Sequence, residues 1–246
     1  MLLKVGCSGF PVNQREYASW FRVVEVQQTF YQPPLRKTAW RWRETMPPDF
    51  EFVLKAWQLI THPATSPTYR RLNRPLTLAE RGQAGFFQDT PLVREAWHLT
   101  RELALVLGTR VILFQCPASF TPALAHLQNL RQFFRTISRE EFIYAWEPRG
   151  DWPRELVMEL CEELGLIPAV DPLVTPPYPQ KPAYFRLHGM GSYRYNYSDP
   201  ELARLAELLK GYTEAYVFFN NSNMWENARR FLTRWTEGPQ FSWGSS

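Results

Sequence analysis

Glu25, Lys55, Glu147, Arg149, Arg186 and His188 are the residues of this 246-residue sequence whose types and spacing can do chemistry. Each lies at or just beyond the end of a short apolar run, with Ser8, Gln115, Asp171 and the pair Asn220-Asn221 in equivalent places. Three carboxylates (Glu25, Glu147, Asp171) are thereby matched by three strong cations (Lys55, Arg149, Arg186). Unpaired buried charge costs several kcal/mol, so such a collection needs either mutual ion pairing or a polar ligand to complete it.

Glu147 and Arg149 share side-chain parity along an extended strand, as do Arg186 and His188, so each pair can point to one side. Arg149 and Arg186 suit a bidentate clamp on phosphate or carboxylate, and Lys55 adds a point charge. Glu147 is then the expected general acid or base, with His188 a proton shuttle and Glu25 a second carboxylate. Ser8, Tyr31, Gln115, Asp171, Asn220 and Asn221 are expected to contact substrate; for the two asparagines, capping of the last helix is the alternative. The tract Met190 to Tyr197 interleaves Tyr193, Arg194 and Tyr195 with amides, a composition suited to stacking on a base or sugar. With Arg70, Arg71 and Arg74 it can frame a basic groove, or it is simply a solvated loop. Cys7 ends a run where a thiolate would be a nucleophile, although a small apolar wall residue is the favoured reading.

No cofactor is expected. A multinuclear zinc site lacks ligands, because among four histidines only His188 falls at a strand end. A single Mg or Mn ion on Glu25, Glu147 and Asp171 is the remaining metal reading, opposed by the neighbouring cations. Gly6-Cys7-Ser8-Gly9 lacks both the P-loop lysine and the third glycine of a dinucleotide fingerprint.

The elements that must position these residues follow from periodicity. Strands are predicted at 2–6, 23–26, 50–55, 110–114, 142–147, 166–170, 183–187 and 215–219. Helical segments are predicted around 17–21, at 39–45 with Thr38 as N-cap, and at 91–107 between Pro91 and Gly108. Further helices are expected at 121–137, 153–163, 200–210 and 223–235. Residues 61–90 read as a long loop and the proline-rich run 172–182 as a crossover without a helix. Trp20, Trp40 and Trp42 are read as packing of helix against barrel. Alternating strands and helices favour a parallel sheet, and eight strands favour closure into a somewhat irregular TIM-like (β/α)8 barrel of one domain, residues 1–246 with a short C-terminal tail. In such a barrel the strand ends converge on one face, making one charged pocket the expectation. An open doubly wound sheet is the alternative.

Gly6-Cys7-Ser8-Gly9-Phe10, Val24-Glu25-Val26 with Thr29-Phe30-Tyr31, Pro48-Asp49-Phe50 with Phe52 and Lys55, Phe114-Gln115-Cys116-Pro117, Glu147-Pro148-Arg149, Arg186-Leu187-His188-Gly189 and Phe219-Asn220-Asn221 together resemble the YecE-like family, domain of unknown function DUF72. The resemblance covers nearly the whole chain. It implies a TIM-like barrel of unsettled activity, similar to barrels of the sugar isomerase and endonuclease IV type. The helix-poor 172–182 stretch and Trp146 before Glu147 depart from the family pattern.

Composition narrows the classes. With 45% hydrophobic and 21% charged residues and a net charge of +4, the chain reads as a globular protein without a membrane span. No export signal opens it, so a cytoplasmic location is expected. Cys7, Cys116 and Cys161 show no metal or disulfide spacing. The expected partner is an anionic or hydroxylated small molecule, with nucleic acid the second; oligomeric state is not legible. Three functions stand open: a hydrolase or lyase acting on a phosphorylated or nucleic-acid-derived substrate, a glycoside-directed enzyme using Glu25 and Glu147, and a non-catalytic nucleic-acid or protein binding module.

Overall fold

The computed structural model describes residues 1–137 and 142–235. The C-terminal tail expected after residue 235 lies outside the described residues. Eight strands are ordered β1-β8-β7-β6-β5-β4-β3-β2, namely β1 (Leu2–Cys7), β2 (Val23–Val26), β3 (Glu51–Lys55), β4 (Val111–Gln115), β5 (Ile143–Glu147), β6 (Ile167–Val170), β7 (Ala183–Leu187) and β8 (Glu214–Phe219). This is the strand order of a TIM-like (β/α)8 barrel. The sequence strands agree with these to within a residue, because each is a near-continuous apolar run of the kind buried on both faces of a parallel sheet.

The chain folds as two compact units. The first comprises residues 1–25, 44–52 and the chain from 167 onward. Here β1 pairs with β8 over its whole length, from Leu2 opposite Glu214 to Cys7 opposite Phe219, and β8 continues to β7 and β7 to β6, all parallel. Helix α1 (Gln14–Trp20) is capped by Asn13, whose side chain accepts from Glu16 N. Between β7 and β8 runs α9 (Asp199–Leu209), started by a capping box of Ser198 and Glu201, and α10 (Met224–Trp235) follows β8. No helix joins β6 to β7, as the prolines of 172–182 require. Lys4, Glu51 and Tyr216 form a polar cluster inside this unit: Lys4 Nζ and the Tyr216 hydroxyl both reach the Glu51 carboxylate.

The second unit comprises residues 26–43 and 53–166. Here β3, β4 and β5 are parallel neighbours, with Gln115 in register with Glu147. Helix α6 (Pro91–Leu107) has the predicted ends: Thr90 accepts from Val93 N, Pro91 opens the first turn, and Gly108 closes it at φ 63°, a left-handed position that a Cβ disfavours. The predicted 61–90 loop is long but not structureless; it includes α4 (Gln58–Thr61), a 3-10 turn (Pro67–Arg71) and α5 (Leu78–Arg81). Helix α7 (Leu124–Thr136) begins three residues later than expected, since the backbone is still extended at Ala123, whose carbonyl opens the ladder by accepting from Leu127 N at 3.0 Å. Helix α8 (Arg154–Leu164) follows β5.

Two expectations are corrected. Thr38 is not an N-cap: α3 (Arg36–Thr45) starts earlier, its ladder opened by the Leu35 carbonyl, which accepts from Thr38 N and Ala39 N. Pro33-Pro34 holds the chain out of helix up to Leu35, and nothing delays it thereafter. Trp40 is not packed inward, for it is 52% exposed.

Candidate functional site

Two polar clusters at strand ends hold most of the predicted residues, one within each unit. In the first unit Glu25 on β2 and Arg186 on β7 form a fully buried ion pair, 2.9 Å from Nε to Oε2 and 2.7 Å from Nη2 to Oε1. The Tyr184 hydroxyl donates to Oε2 at 2.6 Å and Ser8 Oγ to Oε1 at 2.7 Å. Burial alone would raise the Glu25 pKa, but the Arg186 charge and hydrogen bonds, with those of Tyr184 and Ser8, outweigh it and hold the carboxyl below its ordinary value. Glu25 and Arg186 thus occupy each other. Tyr184 escaped the sequence reading, yet it shares the parity of Arg186 two residues on, and that alternation was a usable signal.

Beyond β7 the same unit carries a second arrangement. Asn220 Nδ2 lies 3.0 Å from His188 Nδ1, and the His188 backbone N–H donates to Asp171 Oδ2 at 3.0 Å. Asp171 Oδ1 accepts from Leu173 N, so this carboxylate shapes the turn after β6 as well as the β7 end. Asn221 is fully buried and donates to the Tyr195 carbonyl at 2.7 Å. The Tyr195 hydroxyl reaches Glu201 on α9, which lifts the phenol above its ordinary pKa. Cys7 is fully buried, and burial pushes its thiol well up, against activation as a nucleophile.

In the second unit Arg149 Nε donates to Glu147 Oε1 at 3.0 Å, with the carboxylate 7% exposed and the guanidinium 41%. Lys55, at the end of β3, is 4% exposed with its ammonium 3.8 Å above the Phe30 ring and 3.5 Å from Gln27 Oε1. Thr29 Oγ1 donates to the Lys55 carbonyl at 2.8 Å, tying the Thr-Phe-Tyr motif to that strand end. Tyr31 is covered by the Arg71 guanidinium, 3.6 Å from its ring centre, while Arg74 is paired with Glu80. His62 completes the neighbourhood. It is 4% exposed, its Nδ1 lies 2.8 Å from Thr61 Oγ1, and its pKa is lowered to about 3 by burial first and then by the charges of Lys55 and Arg149, against the opposing pull of Glu147. The sequence reading missed His62 because it placed the residue at the mouth of a loop and not at the end of a helical turn folded inward.

Among the described residues, no group of three or more His, Cys, Asp or Glu side chains is arranged to hold a metal ion. None of the described helices is long and apolar enough to cross a membrane.

The model of the family described as "Protein of unknown function DUF72" matches residues 13–242. The chain belongs to the DUF72 family. A DUF72 protein from Enterococcus faecalis V583 aligns with a TM-score of 0.70 at 19% identity, covering 94% of each chain. One from Thermotoga maritima MSB8 aligns at 0.69 and 25% identity, covering 94% of this chain and 98% of its own. More distant in sequence is a xylose isomerase domain containing protein from Salmonella typhimurium LT2, with a TM-score of 0.56 and 14% identity over 90% of this chain and 89% of its own. That likeness is one of fold, the TIM barrel. No curated protein matches the sequence.

Proposed function

We propose that this DUF72 chain is an enzyme, a hydrolase or lyase, that takes a phosphorylated ligand at the strand ends of its second unit. The observation that carries the reading is the convergence of cationic side chains on the buried His62: Lys55 and His62 share the Phe30 ring, at 3.8 and 4.8 Å, and Arg149, held on Glu147 at 3.0 Å, also acts on the imidazole. An imidazole kept neutral there adds a hydrogen-bonding group without adding charge, and cations at a strand end suit an anionic ligand. Arg149 is the fork for phosphate oxygens and Lys55 the point charge. Glu147, held by Arg149 and almost buried, is the group positioned to accept or return a proton. In this reading Glu25 and Arg186 are a structural ion pair, since each already satisfies the other.

The glycoside reading fares worse, because it needs two working carboxylates, and Glu25 is fully buried and taken up by Arg186, Tyr184 and Ser8. Titration with a panel of phosphorylated ligands and single-stranded oligonucleotides tests the proposal. Binding of a phosphorylated ligand that Arg149→Ala weakens at least tenfold, with turnover abolished by Glu147→Gln, supports it. Indifference to the whole panel, or binding untouched by Arg149→Ala, refutes it. Salt-sensitive oligonucleotide binding that survives Glu147→Gln and is lost on neutralising Arg70, Arg71, Arg74 and Arg194 would favour the non-catalytic module instead.

A further inference from the structure

Three consecutive residues of the second unit, Gly85, Phe86 and Phe87, adopt positive φ of 86°, 54° and 54°. Glycine does so freely, and here it is required twice over, since a Cβ on Gly85 would sit 2.3 Å from the His62 carbonyl. Two phenylalanines in this conformation are strained, and strain persists only where the surroundings enforce it. Enforcement comes from α4, whose Leu59, Thr61 and Ile60 carbonyls accept the N–H groups of Gly85, Phe86 and Phe87 in turn at 2.8, 3.2 and 2.8 Å. Phe87 is thereby sunk in the core, fully buried. Phe86 touches the buried Phe120 as Phe87 does but remains partly exposed, so core packing alone does not account for it.

Phe86 instead joins a row of rings. Its centroid lies 5.9 Å from Phe120 and 4.5 Å from His126; Phe120 in turn stacks on His126 at 4.9 Å and on Trp152 at 5.6 Å. The row is fixed by Trp152 Nε1 donating to the Phe120 carbonyl at 2.8 Å and by the Thr121 N–H held on His126 Nδ1. Phe86, His126 and Trp152 are each partly exposed. The row adjoins the Arg149–Glu147 pair, because the Trp152 ring packs on Trp146, the residue before Glu147, at 5.1 Å, and the Phe86 N–H is bound to the carbonyl of Thr61, the neighbour of His62.

We infer that Phe86, His126 and Trp152, backed by the fully buried Phe120, form a ring-stacking subsite, and that the ligand carries, beside its anionic group, a ring with a flat face. This rests on the anion site proposed above for its second half. A sugar offers such a face in its C–H bonds and a nucleobase in its π system, and both stack on aromatic side chains.

The test is direct binding to the full chain of inorganic phosphate, ribose 5-phosphate, adenosine 5′-monophosphate and uncharged adenosine, for wild type, Phe86→Gly, Phe86→Leu and Phe86→Tyr. At least one ring-bearing phosphate is expected to bind about tenfold tighter than inorganic phosphate, and Phe86→Gly to remove that gain while leaving inorganic phosphate unchanged. Phe86→Leu, which keeps bulk and loses the ring, should show the same loss, and Phe86→Tyr should restore binding. Which of the two ring-bearing phosphates gains separates sugar from base. Ring-bearing phosphates that bind no tighter than phosphate, or a gain that both Phe86→Gly and Phe86→Leu retain, overturn the subsite and leave the anion site standing. Adenosine bound through Phe86 without any affinity for phosphate sustains the subsite and overturns the anion site; no binding of any probe overturns both.

Discussion

Replacing Glu25 by Gln removes one charge from a pair with no exposed surface, and the structure sets the size of the loss. The carboxylate receives two hydrogen bonds from Arg186 at 2.9 and 2.7 Å, one from Tyr184 at 2.6 Å and one from Ser8 at 2.7 Å. Hydrogen bonds to charged groups contribute about 1.5–3 kcal/mol each, and the amide nitrogen of glutamine turns one accepting oxygen into a donor facing other donors. Removing one partner of a buried pair costs about 3–5 kcal/mol because the other charge stays out of water. For a chain of this size that corresponds to a fall in melting temperature of about 10 °C. Urea unfolding followed by circular dichroism at pH 7 measures it. A surface control is Glu163→Gln, whose carboxylate pairs with two arginines, Arg131 and Arg135, at 2.7 and 2.5 Å, where about 1 kcal/mol or less is expected. The pH dependence adds a second readout. Since the folded Glu25 pKa lies below the ordinary value near 4.5, its contribution is complete above that value and is lost as pH falls through the lower folded one. The acid limb of Glu25→Gln should therefore be shallower than that of wild type. A Glu25→Gln loss no larger than that of Glu163→Gln would refute the reasoning.

Other expectations are more briefly tested. His62, with a folded pKa of about 3 against an ordinary 6.5, should stay neutral from pH 5 to 8, seen as an imidazole Cε1–H signal that does not move over that range. Because the unfolded chain takes up this proton first, stability should decline as pH falls from 6.5 toward 3, and His62→Gln should lessen that decline in denaturant titrations. Cys7, Cys116 and Cys161 are all buried, with the Cys161 thiol pushed up to about 12, so a thiol reagent should label none of them until denaturant is added. Gly85→Ala should destabilise the chain by more than about 2 kcal/mol in the same urea assay, combining a left-handed φ with a clash on the His62 carbonyl.

Much of the architecture was legible in the chain itself. Apolar runs of four to six residues, Pro91 and Gly108 about a periodic helix, and the proline run between β6 and β7 all act over a few residues, where local sterics and hydrogen bonding decide. The start of α3 was misjudged for a local reason too, as Thr38 has the chemistry of a cap but Leu35 already opens the ladder. The same apolar runs place Glu25, Lys55, Glu147, Arg149, Arg186 and His188 at or just beyond strand ends, as the structure does.

Their partners were another matter. Glu25 and Arg186 stand 161 residues apart, and only strand order and burial make them one ion pair. Arg149 and Glu147 are near in sequence, yet Lys55 and the neutral His62 become their neighbours only in the folded chain. Helical position told nothing of His62, and composition told nothing of the left-handed turn that presents Phe86. Residue types along the chain set what chemistry is available; desolvation and long-range register, which exist only in the folded state, decide which charges meet and how strongly each pair is held.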